Sequence, residues 1–310
     1  MQVVRLNPAP TTWREALEEF ILRKQAEGAS KRTLDDYREH VVRFFTQYPT
    51  CWPDKLKVAV YEYMAKPKSP AYFNLCLIYL RAFFQYCLEE GYISTNPLAG
   101  FKRKKVADKF VNLDLDTLKA LLELPDKKTY TGLRDYTLTL LTLDTAIRPS
   151  EALSLKVEDV NLRAGTVTVR EEIAKTRTPR TLPLSPATVE AIKKLMEARP
   201  EEWKDAPLFC SQDGQPMREK SWANRVQEYG QRLGIRLRAY DLRHLAATWY
   251  LRNGGNVHGL RILLGHTDLH MAKKYVHLVE ADITREHKQA SVVNRLIAPR
   301  KRVRKVNGNA

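Results

Sequence analysis

The sequence predicts a mainly α-helical protein of two domains, with a small β-hairpin or sheet in the second domain. The chain has 310 residues, about twice the length of a typical domain. Apolar residues recur at helical spacing through the first hundred residues, whereas two later segments alternate as strands do. We therefore expect a helical domain at 1–100, a basic linker at 101–110, a mixed domain at 111–290 and a basic tail at 291–310.

Four helices are expected in the first domain. The residues from Thr12 to Glu15 have the form of a capping box, and Gly28 ends the helix that they begin. The later helices are expected from Thr33, over residues 53–65, and from Ser69-Pro70 to Gly91. Ser69 acts as a cap before a proline at the first helical position. The aromatic residues lie on apolar stripes, which indicates a core rather than surfaces for stacking on bases.

The second domain combines helices with one hairpin. Residues 166–171 and 180–184 alternate and favour β-branched side chains, so they predict two strands with Lys175 in the turn between them. Helices are expected at 114–123, at 129–144, after Pro149, and at 186–198, 218–232, 241–252, 257–263 and 268–276.

Charge is the most informative feature of the composition. The chain carries 52 Lys and Arg against 36 Asp and Glu, a net charge of +16, which points to a polyanion and most often to nucleic acid. Ten of the sixteen net positive charges fall in residues 101–110 and 291–310. Such concentration suits contact with phosphates. The linker residues expected to contact DNA are Lys102, Arg103, Lys104 and Lys105.

The composition also excludes several classes of protein. Hydrophobic residues make up 44% and charged residues 28% of the chain, which is ordinary for a globular protein. No apolar run approaches the ~20 residues that span a bilayer, and the N-terminus lacks the apolar core of a signal peptide. Because the four cysteines form no C-x-x-C pair, we expect a reducing cytoplasm, with neither a disulfide framework nor a cysteine zinc site.

No nucleotide or metal motif is present. The chain lacks a phosphate-binding G-x-x-x-x-G-K-[ST] loop. His266 and His270 are spaced as in a zinc-binding helix, but Thr267 stands where that motif needs a glutamate. The sequence therefore predicts no metal and no other cofactor.

Four short motifs form a more specific constellation. They are Thr145-Ala146-Ile147-Arg148-Pro149-Ser150-Glu151, then Lys175, then Tyr240-Asp241-Leu242-Arg243-His244, and last Leu264-Gly265-His266 with Tyr275 nine residues later. Their order and spacing resemble the tyrosine recombinase (phage integrase) family, over nearly the whole chain from about Thr11 to about His287.

The resemblance implies an architecture and a reaction. A helical, SAM-like core-binding domain would precede the catalytic domain, and the two would close as a C-shaped clamp on double-stranded DNA. Four protomers would assemble on two DNA segments as a homotetramer in the synaptic complex. The strand would be cut through a 3′-phosphotyrosyl intermediate formed without metal or ATP.

The resemblance also implies roles for five residues. Arg148 and Arg243 match the two arginines that bind the scissile phosphate, and planar guanidinium groups suit an anion whose charge grows in the transition state. Lys175 matches the hairpin lysine that protonates the departing 5′-oxygen. His266 matches the position beside the phosphate. Tyr275 matches the nucleophile, and since a phenol holds its proton at neutral pH, it needs neighbouring cations to attack.

Other site residues are supporting or depart from the family. Glu151 lies one helical turn after Arg148 and is expected to orient it through an i,i+3 pair. His244 is expected to be structural. Tyr240 stands where the family usually has histidine, so a phenol could donate a hydrogen bond to the phosphate but could not exchange protons near neutral pH as an imidazole does. Two further arginines beside Lys175 are expected to contact DNA, Arg177 and Arg180.

These observations predict a site-specific DNA recombinase that acts in the cytoplasm, at the nucleoid. The sequence starts at the core-binding module, which resembles Xer-type recombinases and simple mobile-element integrases, and these two remain open. A type IB topoisomerase is a rival, since it uses similar residues as a monomer without sequence choice. A DNA-binding architectural protein with a decayed active site is a second rival, supported only by Tyr240.

Overall fold

The computed structural model describes residues 12–106 and 111–265. The chain divides into two compact units, Met1–Asp108 and Lys109–Ala310, which we call the N-terminal unit and the C-terminal unit. The helix expected at 268–276 and the basic tail lie outside the described residues. Within the described part of the chain, no helix is both long and apolar enough to span a membrane.

The N-terminal unit contains the four predicted helices. They are α1 (Trp13–Ala26), α2 (Lys31–Gln47), α3 (Leu56–Ala65) and α4 (Pro70–Glu89). Hydroxyl side chains cap three of them, because Thr12, Ser30 and Ser69 each accept a hydrogen bond from a backbone N–H of the first turn. The second helix begins two residues before the predicted Thr33 because Ser30 is its cap.

The aromatic residues of this unit form its core. Phe20, Phe44 and Phe84 are fully buried, and Trp13 stacks on Phe45 with ring centroids 4.7 Å apart. This confirms the prediction that the aromatic stripes pack inside the helical domain, because a ring that is buried against other rings has no face left for a base.

The segment after α4 is held against that helix. The Arg81 guanidinium donates to the carbonyl oxygen of Leu98 from two nitrogens, at 3.0 and 3.2 Å, and also to that of Phe101. The Asn74 amide pairs with the backbone of Lys104, donating to its carbonyl oxygen and accepting from its N–H, each at 2.8 Å. The first part of the predicted linker therefore lies on the N-terminal unit, with residues 102–106 exposed.

The C-terminal unit is mainly helical with one small sheet. Its described helices are α5 (Leu115–Glu123), α6 (Tyr130–Thr145), α7 (Pro149–Leu153), α8 (Pro186–Glu197), α9 (Glu219–Arg232), α10 (Ala239–Arg252) and α11 (Val257–Leu264). Short 3₁₀ turns lie at Val157–Asp159 and Glu201–Trp203. Every helix predicted within these residues is present, so the mainly helical fold class is confirmed.

The sheet contains the predicted hairpin and one further strand. Its strands are β1 (Val160–Asn161), β2 (Thr166–Val169) and β3 (Arg180–Pro183), antiparallel in that order. In the hairpin, Val167 pairs with Leu182, and both side chains are buried. The sequence did not predict β1, because a strand of two residues is too short to show a period of two.

Helix α6 packs against both α8 and α10 in the C-terminal unit. Four of its threonine hydroxyls donate to the carbonyl oxygen four residues earlier, those of Thr137, Thr139, Thr142 and Thr145. Because each of these hydroxyls has a hydrogen-bond acceptor within the helix, α6 can be buried between its neighbours without leaving these groups unpaired.

Candidate active site

The end of α6 places Arg148. Ala146 adopts a left-handed conformation with φ of 54° and terminates the helix. Arg148 is extended, as expected of a residue before proline, and Pro149 opens α7 at its first position. The left-handed residue and the proline place Arg148 in the short turn between the two helices, with its side chain buried.

Glu151 is a fully buried carboxylate at the centre of the site. Its Oε1 accepts from Nη1 of Arg148 at 2.8 Å, and its Oε2 accepts from the Arg148 backbone N–H at 3.2 Å. The same carboxylate receives Nη2 of Arg180 on Oε2 at 2.5 Å and Nη1 of Arg180 on Oε1 at 3.3 Å. The predicted i,i+3 pair is present, and a second arginine shares the carboxylate.

The two arginines keep Glu151 ionised. Burial by itself raises the pKa of this carboxyl group, but hydrogen bonding and charge from Arg180, together with those from Arg148, outweigh burial. The pKa of Glu151 therefore lies below its ordinary value. A carboxylate held in this state fixes the orientation of both guanidinium groups.

Arg243 lies on α10 and is only 1% exposed. Its Nη1 donates to the carbonyl oxygen of Ala146 at 2.6 Å, and its Nη2 donates to that of Leu264 at 2.8 Å. The side chain thus connects the end of α6, two residues before Arg148, to the end of α11. The structure brings Arg148 and Arg243 to the same turn, although they are 95 positions apart in the sequence.

Tyr240 precedes Arg243 by one turn of α10 and is 45% exposed. The Arg243 guanidinium carbon lies 5.9 Å from the centre of the Tyr240 ring. The half-buried His244 meets that ring edge to face, with centroids 5.2 Å apart and planes at 63°. Tyr240 and Arg243 are therefore on one side of the helix, and the phenol is open to a ligand.

The hairpin presents Lys175 close to Glu151. The backbone N–H of Lys175 donates to Oε1 of Glu151 at 3.3 Å, while the residue itself is exposed. The hydroxyl of Thr176 donates to the carbonyl oxygen of Gly265 at 3.4 Å. Arg177 is exposed, with a φ of 50°. The turn is thus attached to both α7 and the end of α11 by single hydrogen bonds.

Arg180 begins strand β3 and points inward. Its side chain is 6% exposed, and besides both oxygens of Glu151 it reaches the carbonyl oxygen of Leu263, with Nε at 3.3 Å. A carboxylate and a carbonyl engage three of its donors, and the DNA contact expected of Arg180 from the sequence stays a prediction. No local sequence pattern predicts the pairing with Glu151, since the two residues are 29 positions apart.

Gly265 ends α11 with a φ of 60°, the left-handed region that favours glycine. A Cβ at this position would lie 2.9 Å from the guanidinium carbon of Arg180. His266 and Tyr275 follow and lie outside the described residues. Among the described residues, no group of three or more His, Cys, Asp or Glu is placed to hold a metal ion.

Comparison with known proteins assigns the family. The model of the phage integrase family matches residues 112–281. A tyrosine recombinase XerD of Staphylococcus epidermidis is 31% identical over 217 residues, covering 68% of this chain and 72% of that protein. The chain belongs to the phage integrase family. A tyrosine recombinase XerC of Thermodesulfovibrio yellowstonii is 29% identical over 272 residues, covering 82% of this chain and 88% of that protein.

Solved structures of tyrosine recombinases share the fold. A Tn1549 transposon integrase in complex with transposon right end DNA has a TM-score of 0.70 at 16% identity, covering 87% of this chain and 99% of that one. A lambda integrase dimer bound to a core site has a TM-score of 0.67 at 19% identity, covering 86% and 95%. The chain is a tyrosine-type site-specific recombinase, as the sequence predicted.

The structure describes four of the six residues that the sequence places in the recombinase active site. Arg148 and Arg243 meet at the turn after α6, the Lys175 backbone is connected to Arg148 through Glu151, and Tyr240 lies beside Arg243. The roles of these residues, and those of His266 and Tyr275, stay predictions.

Proposed function

We propose that this recombinase cuts and rejoins duplex DNA through a covalent bond between Tyr275 and a 3′-phosphate. One observation carries the proposal. Two buried arginines from distant parts of the chain, Arg148 and Arg243, converge on the turn after α6, and the hairpin that bears Lys175 is attached to that turn through Glu151. Such a cluster suits one phosphodiester group with growing negative charge.

The proposed reaction is a transesterification. The phenolic oxygen of Tyr275 attacks the phosphorus and releases its proton to solvent, while the bond from phosphorus to the 5′-oxygen breaks. Lys175 gives a proton to the departing oxygen and regains one from solvent. Rejoining reverses each step with a 5′-hydroxyl as the nucleophile. Arg148, Arg243 and His266 hold the non-bridging oxygens, and Tyr240 adds a hydrogen bond from its exposed phenol.

The proposed partner is double-stranded DNA, bound by a homotetramer during synapsis. Relatives of known structure support this assembly, since one is described as a lambda integrase tetramer bound to a Holliday junction. The exposed basic segment Lys102–Lys105 would contact phosphates, and so would Arg177. A protein that recombines chromosomal DNA acts at the nucleoid.

The deciding experiment traps the covalent intermediate. On a nicked duplex that loses its short 5′-fragment after cleavage, the parent protein should form an adduct that survives denaturation, and peptide mapping should place the nucleotide on Tyr275. Tyr275→Phe should bind the same site with nearly the parent affinity, because binding rests on other contacts, and form no adduct. Tyr61→Phe, which removes a hydroxyl from an exposed residue of α3, should cleave like the parent.

Each alternative outcome of this experiment would indicate a different function or a different nucleophile. No adduct from the parent protein, with site-specific binding intact, would indicate a decayed active site and an architectural role. An adduct formed by a monomer without sequence choice would indicate a topoisomerase. A linkage at another residue would refute the assignment of Tyr275.

A further inference from the structure

We propose that Arg180 is a positioning residue of the recombinase active site, holding Glu151 against Arg148 and fastening the Lys175 hairpin to the end of α11. This inference rests on the proposed function, because it assigns a residue to the same site. Arg180 would act through its neighbours, without touching the DNA.

The contacts of Arg180 join three separate segments. From the first residue of β3, it donates Nη2 and Nη1 to the two oxygens of Glu151 in α7, at 2.5 and 3.3 Å. Its Nε donates to the carbonyl oxygen of Leu263 near the end of α11, at 3.3 Å. A planar guanidinium is suited to such a role, because its donors point in fixed directions.

The carboxylate of Glu151 needs both arginines. It is fully buried, and a buried carboxylate is stable only when charges and hydrogen bonds compensate for lost water. Arg148 alone supplies one side-chain bond, from Nη1 to Oε1. Arg180 supplies a side-chain hydrogen bond to the other oxygen, Oε2, so that the carboxylate cannot rotate away from Arg148.

The same guanidinium secures the hairpin. Lys175 and Thr176 reach the rest of the unit through bonds of 3.3 Å to Glu151 and 3.4 Å to Gly265. Both acceptors lie beside Arg180, which also anchors its own strand to Leu263. Loss of Arg180 would therefore loosen the turn that presents the lysine.

Gly265 gives independent support. The guanidinium of Arg180 lies so close to this residue that an added Cβ would be 2.9 Å from Cζ and 3.0 Å from Nε and Nη1. Glycine at this turn thus leaves the space that the arginine fills. Arg180 therefore packs against the residue that precedes His266 in the sequence.

The test compares Arg180 with Arg163, an exposed arginine in the turn between β1 and β2 of the same unit. Arg180→Met removes the charge, Arg180→Lys keeps it without the planar fork, and Arg163→Lys is the matched control. Binding of the DNA site and the cleavage rate at saturating DNA are measured separately, with thermal unfolding as the check on folding.

We expect substitutions of Arg180 to change the cleavage rate at saturating DNA and not the affinity for DNA. Arg180→Lys should cleave ~10-fold more slowly and Arg180→Met ~100-fold more slowly, while both bind DNA within about 2-fold of the parent, because the side chain is buried and its donors are engaged by Glu151 and Leu263. If Arg180→Met fails to fold, Arg180→Lys carries the test. Reduced affinity with an unchanged rate at saturation would refute the proposal and make Arg180 a phosphate contact. Arg163→Lys should bind DNA and cleave it like the parent.

Two further measurements examine the mechanism. Because Arg180 acts through Glu151, combining Arg180→Lys with Glu151→Gln should slow cleavage little beyond the slower single variant, and multiplicative effects would contradict the inference. In Arg180→Lys without DNA, the backbone amides of residues 171–178 should exchange hydrogen faster than in the parent, and unchanged exchange there would also contradict the inference. Absence of an adduct from the parent protein would instead refute the proposed function itself.

Discussion

Glu151 is the residue whose charge state most affects the site. Its carboxylate is buried between Arg148 and Arg180, and its pKa lies below the ordinary value of 4.5 because those arginines outweigh the effect of burial. The folded state therefore favours the ionised form more than the unfolded state does. Its contribution to stability is complete above about pH 4.5 and is lost as the pH falls through the lower pKa of the folded state.

This dependence gives a first prediction at the residue scale. At neutral pH, Glu151→Gln should lower the free energy of unfolding by about 3–5 kcal/mol, because it leaves two buried arginines without their carboxylate. The difference between parent and variant should shrink as the pH falls below about 4.5. Urea unfolding at several pH values measures it. A difference that stays constant down to pH 2 would show that the carboxylate is not ionised by its neighbours.

A second residue-scale prediction concerns Tyr240. Tyr240 is 45% exposed, and the contacts that its ring makes with Arg243 and His244 do not involve the hydroxyl. Tyr240→Phe should therefore leave folding unchanged and slow cleavage modestly, by ~10-fold. Tyr240→His should retain cleavage, because an imidazole can donate the same hydrogen bond. Cleavage rates on the trapped-intermediate substrate measure both. A folded Tyr240→His variant that no longer cleaves would mean that the phosphate is held differently here.

Whether a contact in this site can be predicted from the sequence depends on how far apart its two residues lie along the chain. The contact of Arg148 with Glu151 follows from helical spacing, and Tyr240 and Arg243 share a helix face for the same reason. The pairing of Arg180 with Glu151 depends on how the hairpin packs on α7, and no local pattern contains that information. The left-handed backbone conformation of Ala146, which positions Arg148, cannot be predicted from the sequence either, because residues other than glycine rarely adopt it.

At the scale of elements, cap residues and periodicity explain why the helices were predictable. Ser, Thr and proline mark the starts of α1, α2, α4 and α7 in the sequence itself. By contrast, β1 and the two 3₁₀ turns arise from packing around the sheet and carry no periodic signal. The basic segment after α4 was expected to be a linker, and its attachment through Asn74 and Arg81 depends on side chains up to thirty positions away.

The basic segment gives the prediction at this scale. Replacing Lys102, Arg103, Lys104 and Lys105 by glutamine should flatten the dependence of log K for DNA on log salt by up to ~0.9 per lost phosphate contact. Binding titrations between low and moderate salt measure the slope. Replacing Lys193 and Lys194 of α8, which face Glu197 and Glu190, should leave the slope unchanged. An unaltered slope in the fourfold variant would show that the segment does not lie on DNA.

At the scale of the whole molecule, each unit has a hydrophobic core of its own. Phe84→Ala in the N-terminal unit should cost that unit about 3–5 kcal/mol, and Leu138→Ala in the C-terminal unit about 2–5 kcal/mol, since both side chains are fully buried. Hydrogen exchange resolved by residue measures the two effects. Each substitution should lower protection in its own unit, and joint loss of protection would show that the units unfold as one.

Because Asn74 holds the backbone of Lys104 on the N-terminal unit, only a short length of chain is free to extend between the two units. Only seven peptide links separate Lys104 from Val111, the first described residue of the C-terminal unit, and a chain of that length reaches at most about 25 Å. In the proposed complex, in which both units contact DNA, binding of one unit would keep the other at an effective concentration in the millimolar range. The two units would then act as one bivalent ligand, whose residence time on DNA exceeds that of either unit alone.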